Sequence, residues 1–424
     1  MDLRSHLTFG FEQTFTIPDW WTEPGFVSTS DTPLKRQKMK DFADALALEL
    51  NVSVRESVDI WNHLQYEVGG FFVTMDPGSL EIKTPPCLLA DVERVNAPMF
   101  VAAERSGMVP WRTWWYGVKG GTEGGCHVNM GGFTPATNPL RAHPELVVRY
   151  FAWLHNHPEF HFPFMGPDVG PGGNCQRMDE QEVENALTPL QQLLEQREIS
   201  PDAPREALKE TTLVKEKSSF PSLTKFKAPD YLLEDRAQEA PHTAAELQLV
   251  CEWRMKLLES LHDREPAPLE RYPRGHWHGH RLSSTHLWER FRKTAIMLGL
   301  DVAAYRVFFD RQFPLLQGGV NVPASVEIRE GRRPRVITAI QTRPDGTVIS
   351  KTLDTRHKRL ELHVPAGGWV VRYGKDILSP DWHPEGEGHY ACLDLLVEGK
   401  ERVLEFTLDG VPQGRFSPFN MTWE

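Results

Sequence analysis

The sequence has few cysteines, no long apolar run and no excess of basic residues. Its five cysteines are scattered over 424 residues without a C-x-x-C pair, which predicts reduced thiols rather than a disulfide framework. No run approaches the roughly 20 apolar residues that a membrane span needs, and the first fifteen residues lack the apolar stretch of a signal peptide. The net charge of −11 disfavours wholesale nucleic-acid binding, because phosphate neutralisation needs a basic surface. These absences predict a soluble cytoplasmic protein that does not bind membranes.

The pattern of apolar residues divides the chain in two. Helical spacing occurs in the first part over residues 34–50, 88–108, 144–157, 180–197, 243–261 and 285–298. Short extended runs lie between them, at residues 7–15, 70–74, 79–83, 112–116, 126–130 and 231–237. From about residue 320, short alternating runs and Gly, Pro and Asp turns predominate, as in small antiparallel sandwiches. We therefore predict an α+β domain over residues 1–317 and a β-sandwich-like module over residues 318–424.

Charged residues inside runs that otherwise read as buried strands are the first functional signal. Glu12 lies in an apolar run, and residues two apart on a strand share a face, so Glu12 points away from Phe11. Glu81 and Lys83 share a face of a short run that follows an Asp-Pro-Gly turn. Glu12 either caps a structural network or binds a cation, and Glu81 and Lys83 either serve a site or lie on an exposed hairpin edge.

Two further segments carry polar side chains on extended runs. A glycine-rich entry precedes His127 and Asn129, which share a face. It is not a P-loop, because no Gly-Lys-Ser/Thr follows. Glu234 and Arg236 also share a face, as in a metal–phosphate site or a plain ion pair. A single strand histidine is more often a core residue, so the argument for a site rests on several such strands occurring together.

The order of these segments resembles a known superfamily. Gly10-Phe11-Glu12, Asp76-Pro77-Gly78-Ser79-Leu80-Glu81, His127-Val128-Asn129 and Glu234-Asp235-Arg236 occur in this sequence order. The order resembles the amidoligases, the carboxylate–amine ligases related to glutamate–cysteine ligase and glutamine synthetase. It is more closely similar to the C-terminal half of a bacterial family often encoded beside transglutaminase-like proteins, and the similarity covers most of the chain.

The resemblance implies a curved antiparallel sheet like that of glutamine synthetase and an ATP- and Mg²⁺-dependent ligase. Such an enzyme forms an amide bond through an acyl phosphate, from a small-molecule or peptide carboxylate and an amine. The metal ligands that it implies are Glu12, Glu81, Glu234 and His127. The catalytic residues are Arg236, His127 and Glu123. The ATP-binding residues are Asn129, Gly124, Gly125, Lys83, His278 and Arg281.

The first strand departs from the family pattern. These ligases carry a second acidic residue two positions after the first, and this chain has Thr14 there. Either one metal is missing, or Glu67 or Asp76 supplies the absent ligand. No obvious general base for the amine stands out, and Glu123 and Asp179 are the two candidates.

A histidine-rich segment leaves other functions open. His276, His278 and His280 alternate in sequence, so they could chelate zinc, line a loop that contacts phosphate, or lie in solvent. Three alternatives to the ligase therefore remain: a phosphotransferase of the same fold, a non-catalytic scaffold, and a metal hydrolase centred on these histidines.

Overall fold

The structure of the protein is a computed structural model. It describes residues 2–17, 31–59, 62–76, 79–110, 115–117, 120–122, 125–160, 163–164, 188–210, 214, 222–262, 284–312, 327–330, 338–342, 348–352, 357–385, 388–397, 402–419 and 422–423.

A nine-stranded antiparallel sheet organises the described residues of the first part. Its strands are β1 (Thr8–Thr16), β2 (Arg55–Val58), β3 (Leu64–Val68), β4 (Phe71–Asp76), β5 (Ser79–Lys83), β6 (Cys87–Leu88), β7 (Val109–Pro110), β10 (Cys126–Gly131) and β11 (Leu233–Gln238), while β8 (Trp115–Gly117) and β9 (Gly120–Thr122) form a separate hairpin. The order across the sheet is β11-β10-β1-β5-β4-β3-β2, and β6 and β7 pair with the two ends of β1. The N-terminal strand therefore lies between β10 and β5, which are distant from it in sequence.

Helices cover one face of this sheet. The longer helices are Pro33–Leu50, Val92–Arg105, Pro144–Asn156, Ala244–His262 and Ser284–Met297, and the shorter ones are Leu3–His6, Pro139–Ala142, Ala203–Ala207 and Arg306–Gln312. Phe15 shows which face of β1 they cover. Its ring centroid lies 5.4 Å from that of Phe42 and 5.8 Å from that of Phe100. Because neighbouring strand residues face opposite ways, Glu12 and Thr14 project from the other face.

The described residues of the C-terminal part form two larger antiparallel sheets and one two-stranded sheet. The strands are β12 (Glu327–Glu330), β13 (Thr338–Thr342), β14 (Val348–Thr352), β15 (His357–Pro365), β16 (Trp369–Tyr373), β17 (Asp376–Leu378), β18 (His383–Glu385), β19 (Gly388–Leu396), β20 (Leu404–Leu408), β21 (Val411–Ser417) and β22 (Thr422–Trp423). One sheet has the order β12-β15-β19-β18, the other has the order β17-β16-β20-β21-β22, and β13 pairs with β14. Buried side chains from both sheets, such as Leu362 and Phe406, belong to one apolar cluster. This agrees with the predicted sandwich-like packing.

The expectation of mixed helices and antiparallel strands followed by an all-β part is confirmed. The boundary predicted between residues 317 and 318 lies outside the described residues, so the division into two domains stays a prediction. The helix predicted from residue 88 begins at Val92 instead, because Leu89–Asp91 forms a 3₁₀ turn before it. Residues 199–209, which have no predicted helix or strand, contain the helix Ala203–Ala207, with Leu208 buried.

The described residues bear on two predictions, one about disulfides and one about membrane-spanning helices. No disulfide joins the four cysteines that lie among them. No helix in the described part of the chain is both long and apolar enough to cross a bilayer.

Candidate active site

The strand register aligns the predicted polar residues on one face of the sheet. Glu12 on β1 lies directly opposite His127 on β10, and Asn129 on β10 lies opposite Glu234 on β11. Directly opposed residues project from the same face. Because β10 lies between β1 and β11, the two pairs bring side chains from three strands together.

Three of these side chains form a compact cluster of possible metal ligands. One ligand atom from each of Glu12, His127 and Glu234 lies within 4.8 Å of the others. His127 Nδ1 is 2.8 Å from Glu12 Oε2 and 3.7 Å from Glu234 Oε1. The Glu234 side chain is 1% exposed, whereas those of Glu12 and His127 are 17% and 22% exposed. The cluster therefore has a buried wall at Glu234 and an accessible side at the other two residues.

Two cationic side chains complete the cluster. Lys225 Nζ lies 2.8 Å from Glu12 Oε1 and 2.6 Å from Glu234 Oε1. It is also 3.5 Å from Asn129 Oδ1, to which it donates. Arg236 Nη1 donates to Glu234 Oε1 at 3.3 Å. One oxygen of Glu234 thus accepts from both an ammonium and a guanidinium.

The charges of this cluster shift the pKa values of its members. Burial alone would raise the pKa of the Glu12 carboxyl, but the hydrogen bonds from His127 and Lys225 and the charge of the ammonium outweigh it and hold that pKa well below its ordinary range. Burial alone would lower the pKa of Lys225, but the two carboxylates outweigh it and raise that pKa. At neutral pH, Glu12 is therefore a carboxylate and Lys225 an ammonium.

The residues fit a divalent metal ion. Among the described residues, Glu234 Oε2 finds no hydrogen-bond partner although it is buried, and neither does Arg236 Nε. A buried carboxylate oxygen without a partner is costly, so it points to a ligand that completes the site. Carboxylate oxygens are the donors that Mg²⁺ prefers, and an imidazole nitrogen also suits Mn²⁺ or Zn²⁺.

Thr14, where the resemblance led us to expect an acidic residue, makes hydrogen bonds that hold two strands together. Its hydroxyl donates to the Gly125 carbonyl at 2.9 Å and accepts from the Gly125 amide at 2.7 Å. The Thr14 amide also donates to the same carbonyl at 3.1 Å. Both backbone groups of Gly125, a predicted ATP-binding residue, are thus used within the sheet. A Cβ on Gly125 would lie 3.1 Å from the Gln238 carbonyl oxygen, so the position favours glycine for strand packing.

Glu81 and Lys83 lie beside the cluster rather than in it. Lys83 is opposite Glu12 and Glu81 is opposite Thr14 on the neighbouring strand. Lys83 Nζ is 3.3 Å from Glu81 Oε1. The position of Glu81 is diagonal to that of Glu12, a separation of about 7–8 Å. Glu81 is therefore adjacent to the cluster but is not one of the three residues whose ligand atoms lie within 4.8 Å of one another, and its role as a metal ligand stays a prediction.

The two proposed substitutes for an acidic residue at position 14 lie farther away. Glu67 is on β3, three strands from β1 at about 4.8 Å a strand, and it pairs with Arg55. Asp76 ends β4, and its carbonyl accepts from the buried Lys35 at 3.1 Å. The distance across the sheet excludes Glu67 as a ligand to the metal that Glu12 would hold.

Several predicted residues lie outside the described part of the chain. They are Glu123, Gly124, Asp179, His276, His278, His280 and Arg281. The general base and the histidine-rich segment therefore stay predictions.

Lys225 is the site residue that the sequence analysis missed. It lies nine positions before Glu234 in a segment without a strand-like pattern, and the segment reaches β11 through an isolated bridge between Ser222 and Glu234. Apolar Leu223 and Phe226 on either side of the lysine are the one local signal that could have drawn attention to it.

Comparison with known proteins gives a partial match. The model of a family described as "Putative amidoligase enzyme (DUF2126)" matches residues 62–207, less than half of the chain. No curated protein sequence matches the chain. Among solved structures, the one titled "Apo GmaS without ligand" is similar with a TM-score of 0.35 and 12% identity, covering 72% of this chain and 68% of that one. Part of the chain is thus similar to an amidoligase family, which suggests a ligase-type enzyme.

Proposed function

We propose that this protein is an ATP- and Mg²⁺-dependent ligase that joins a carboxylate to an amine. The observation that carries the proposal is the cluster of Glu12, His127 and Glu234, with Lys225 and Arg236 at its side, on one face of an antiparallel sheet. The match of residues 62–207 to an amidoligase family supports the same class of reaction.

The proposed reaction has two steps. The substrate carboxylate takes the γ-phosphoryl group of ATP to give an acyl phosphate and ADP, and the amine then attacks the acyl carbon and releases phosphate. Glu12, His127 and Glu234 would hold a divalent ion, which would neutralise phosphate charge during the transfer. The guanidinium of Arg236, fixed by its hydrogen bond to Glu234, would stabilise the charge of the transferring group. Glu81 and Lys83 would contact the nucleotide or a second ion beside the cluster.

Calorimetric titration of ATP, with and without Mg²⁺, tests the site. We expect the wild-type protein to bind ATP only with Mg²⁺, and Glu12→Gln to weaken that binding by about 100-fold or more, a typical loss for one group of a preorganised charged site. Glu56→Gln is the matched control, because Glu56 is an exposed glutamate on the edge strand β2. It should bind as the wild type does.

Product analysis then separates the alternatives. A ligase releases phosphate from ATP only when a carboxylate and an amine are both present, and hydroxylamine in place of the amine traps the acyl phosphate as a hydroxamate. A phosphotransferase instead gives ADP and a stable phosphorylated product. If wild-type protein binds no nucleotide at any Mg²⁺ concentration, the chain is a scaffold and the ligase proposal fails.

A further inference from the structure

The Lys225 ammonium lies where a cation would bind the two carboxylates of the site. Nζ is 2.8 Å from Glu12 and 2.6 Å from Glu234, the distances of charge-assisted hydrogen bonds. The oxygens nearest to His127 Nδ1 are Glu12 Oε2 and Glu234 Oε1. Glu234 Oε1 is also the oxygen closest to the ammonium. A divalent ion held by His127 and its nearest carboxylate oxygens would thus share Glu234 Oε1 with Lys225. An ion that used the unpartnered Glu234 Oε2 would still bind the same carboxylate as the ammonium.

The charges of the site are already balanced without a metal. Glu12 and Glu234 supply two negative charges, and Lys225 and Arg236 supply two positive ones. A metal ligated at about 2.1 Å by the oxygen that accepts from Lys225 would face the ammonium at close range beside the fully buried Glu234. Repulsion between like charges is strong in a partly buried site. The ion and the ammonium therefore compete for the same carboxylates.

The backbone around Lys225 is fixed, so its side chain is the part that can move. Ser222 N donates to Glu234 O at 2.7 Å, and Leu232 N donates to Lys225 O at 3.2 Å. Leu223 and Phe226 are fully buried on either side. The Lys225 side chain is 38% exposed, so its flexible stem can swing the ammonium toward the open side of the cluster. That is the side from which an anionic ligand would approach.

We infer that Lys225 is a ligand-exchanging residue of the site. Its ammonium holds the cation position in the unliganded protein, gives it up to a divalent metal, and then binds the phosphate groups of a polyphosphate ligand. Metal and polyphosphate consequently promote each other's binding, because each stabilises the arrangement that the other needs. The inference rests on the proposed function for the nature of the anion, but the exchange between metal and ammonium does not depend on any ligase activity.

The metal arm of the test uses Mn²⁺ alone, with free Mn²⁺ followed by electron paramagnetic resonance. Lys225→Met keeps most of the apolar stem and removes the charge, and we expect it to bind Mn²⁺ about tenfold more tightly than wild type, within the usual range of coupling between two sites. Lys227→Met is the matched control, because Lys227 is an exposed lysine on the same segment. It should leave Mn²⁺ affinity unchanged. Lys225→Arg keeps the positive charge and should bind Mn²⁺ no more tightly than wild type.

The anion arm repeats the Mn²⁺ titration with saturating inorganic triphosphate. The wild-type affinity for Mn²⁺ should rise by about tenfold or more, and the gain should be several-fold smaller in Lys225→Met. Equal gains in both proteins would overturn the transfer of the ammonium to phosphate. Unchanged or weaker Mn²⁺ binding by Lys225→Met, or no binding by either protein, would overturn the exchange itself.

The two proposals fail in different ways. Tighter Mn²⁺ binding by Lys225→Met, without turnover of any carboxylate–amine pair, would support the exchange and contradict the ligase proposal. Ligase turnover with equal Mn²⁺ affinities in wild type and Lys225→Met would support the ligase proposal and contradict the exchange.

Discussion

Two adjacent carboxylates on β11 have opposite surroundings. Glu234 and Asp235 are both fully buried, but they project from opposite faces of the same strand. Asp235 faces the helices, where Arg254 Nε donates to its Oδ2 at 3.0 Å. Arg254 is itself buried, and its Nη1 donates to Val250 O at 2.8 Å. Glu234 faces the cluster, where one oxygen is crowded by cations and the other has no partner among the described residues.

The difference separates a carboxylate that stabilises the fold from one that, in our proposal, binds a ligand. Asp235 and Arg254 neutralise each other, and both side chains are held in a packed interior. The surroundings of Glu234 are incomplete, and Lys225 can reach solvent. Burial alone therefore does not distinguish the two carboxylates. The unpartnered oxygen of Glu234, beside the partly exposed Lys225, is what supports our proposal that Glu234 binds a ligand.

Asp235→Asn should have the largest effect on stability. It leaves the buried guanidinium of Arg254 without its counter-charge, and breaking one side of such a pair costs about 3–5 kcal/mol. Chemical denaturation of Asp235→Asn against wild type measures the loss. The double variant with Arg254→Met removes both charges and should recover more than half of it. A loss below about 1 kcal/mol in the single variant would mean that the pair does not stabilise the fold.

Glu234→Gln should weaken metal binding strongly and lower stability little, the reverse of what we expect for Asp235→Asn. Both substitutions remove one negative charge from adjacent positions. We expect Mn²⁺ affinity to fall by about 100-fold or more, because a buried ligand is lost. The free energy of unfolding should fall by less than about 2 kcal/mol, since Lys225 keeps Glu12 as a partner. Asp235→Asn, measured under conditions where it is folded, should keep its Mn²⁺ affinity. If the two variants lost similar amounts of stability and of Mn²⁺ affinity, the different roles assigned to Asp235 and Glu234 would be contradicted.

Glu159 extends the comparison to a third buried carboxylate and should show the smallest effect. Its side chain accepts from His157 at 2.8 Å and from Arg290 at 3.1 Å. Burial alone would raise the pKa of Glu159, but these partners outweigh it and lower that pKa from 4.5. A lowered pKa stabilises the fold above the unfolded-state value, and the contribution is lost as pH falls below about 4.5 through the folded-state value.

Denaturation of Glu159→Gln at several pH values checks this assignment. The variant should be less stable than wild type by about 1.5 kcal/mol near pH 7, the scale of a charge-assisted hydrogen bond. The difference should shrink as the pH falls below about 4.5. A constant difference down to pH 3 would show that the charge of Glu159 is not responsible.

The sequence predicted the strands of the site better than their arrangement. Apolar alternation located β1, β5, β10 and β11 to within a few residues, because strand periodicity is a local property. It missed the short, polar edge strand β2 and its neighbour β3, although Leu64, Tyr66 and Val68 alternate with polar residues in β3. The order of strands, which inserts β1 between β10 and β5, depends on long-range pairing that no local pattern encodes.

The same reasoning explains which site residues were found. Glu12, His127 and Glu234 stood out because charged residues on apolar strands are unusual. Lys225 did not, since a lysine in an irregular segment is ordinary until the fold brings it to the carboxylates. Glu81 and Lys83 were correctly expected to share a face, but only the register could place them beside the cluster rather than within it.

The bond between Thr14 and Gly125 constrains how this protein could change over evolution. Because the Thr14 hydroxyl both donates to and accepts from the Gly125 backbone, a carboxylate at this position would lose the donor and set its charge against a carbonyl oxygen. A single substitution to an acidic residue would therefore loosen the entry to β10 before it could create a metal ligand. An acidic residue could be accommodated there only with coordinated changes on two strands, so the pairing of Thr14 with Gly125 restricts which residues can replace the threonine.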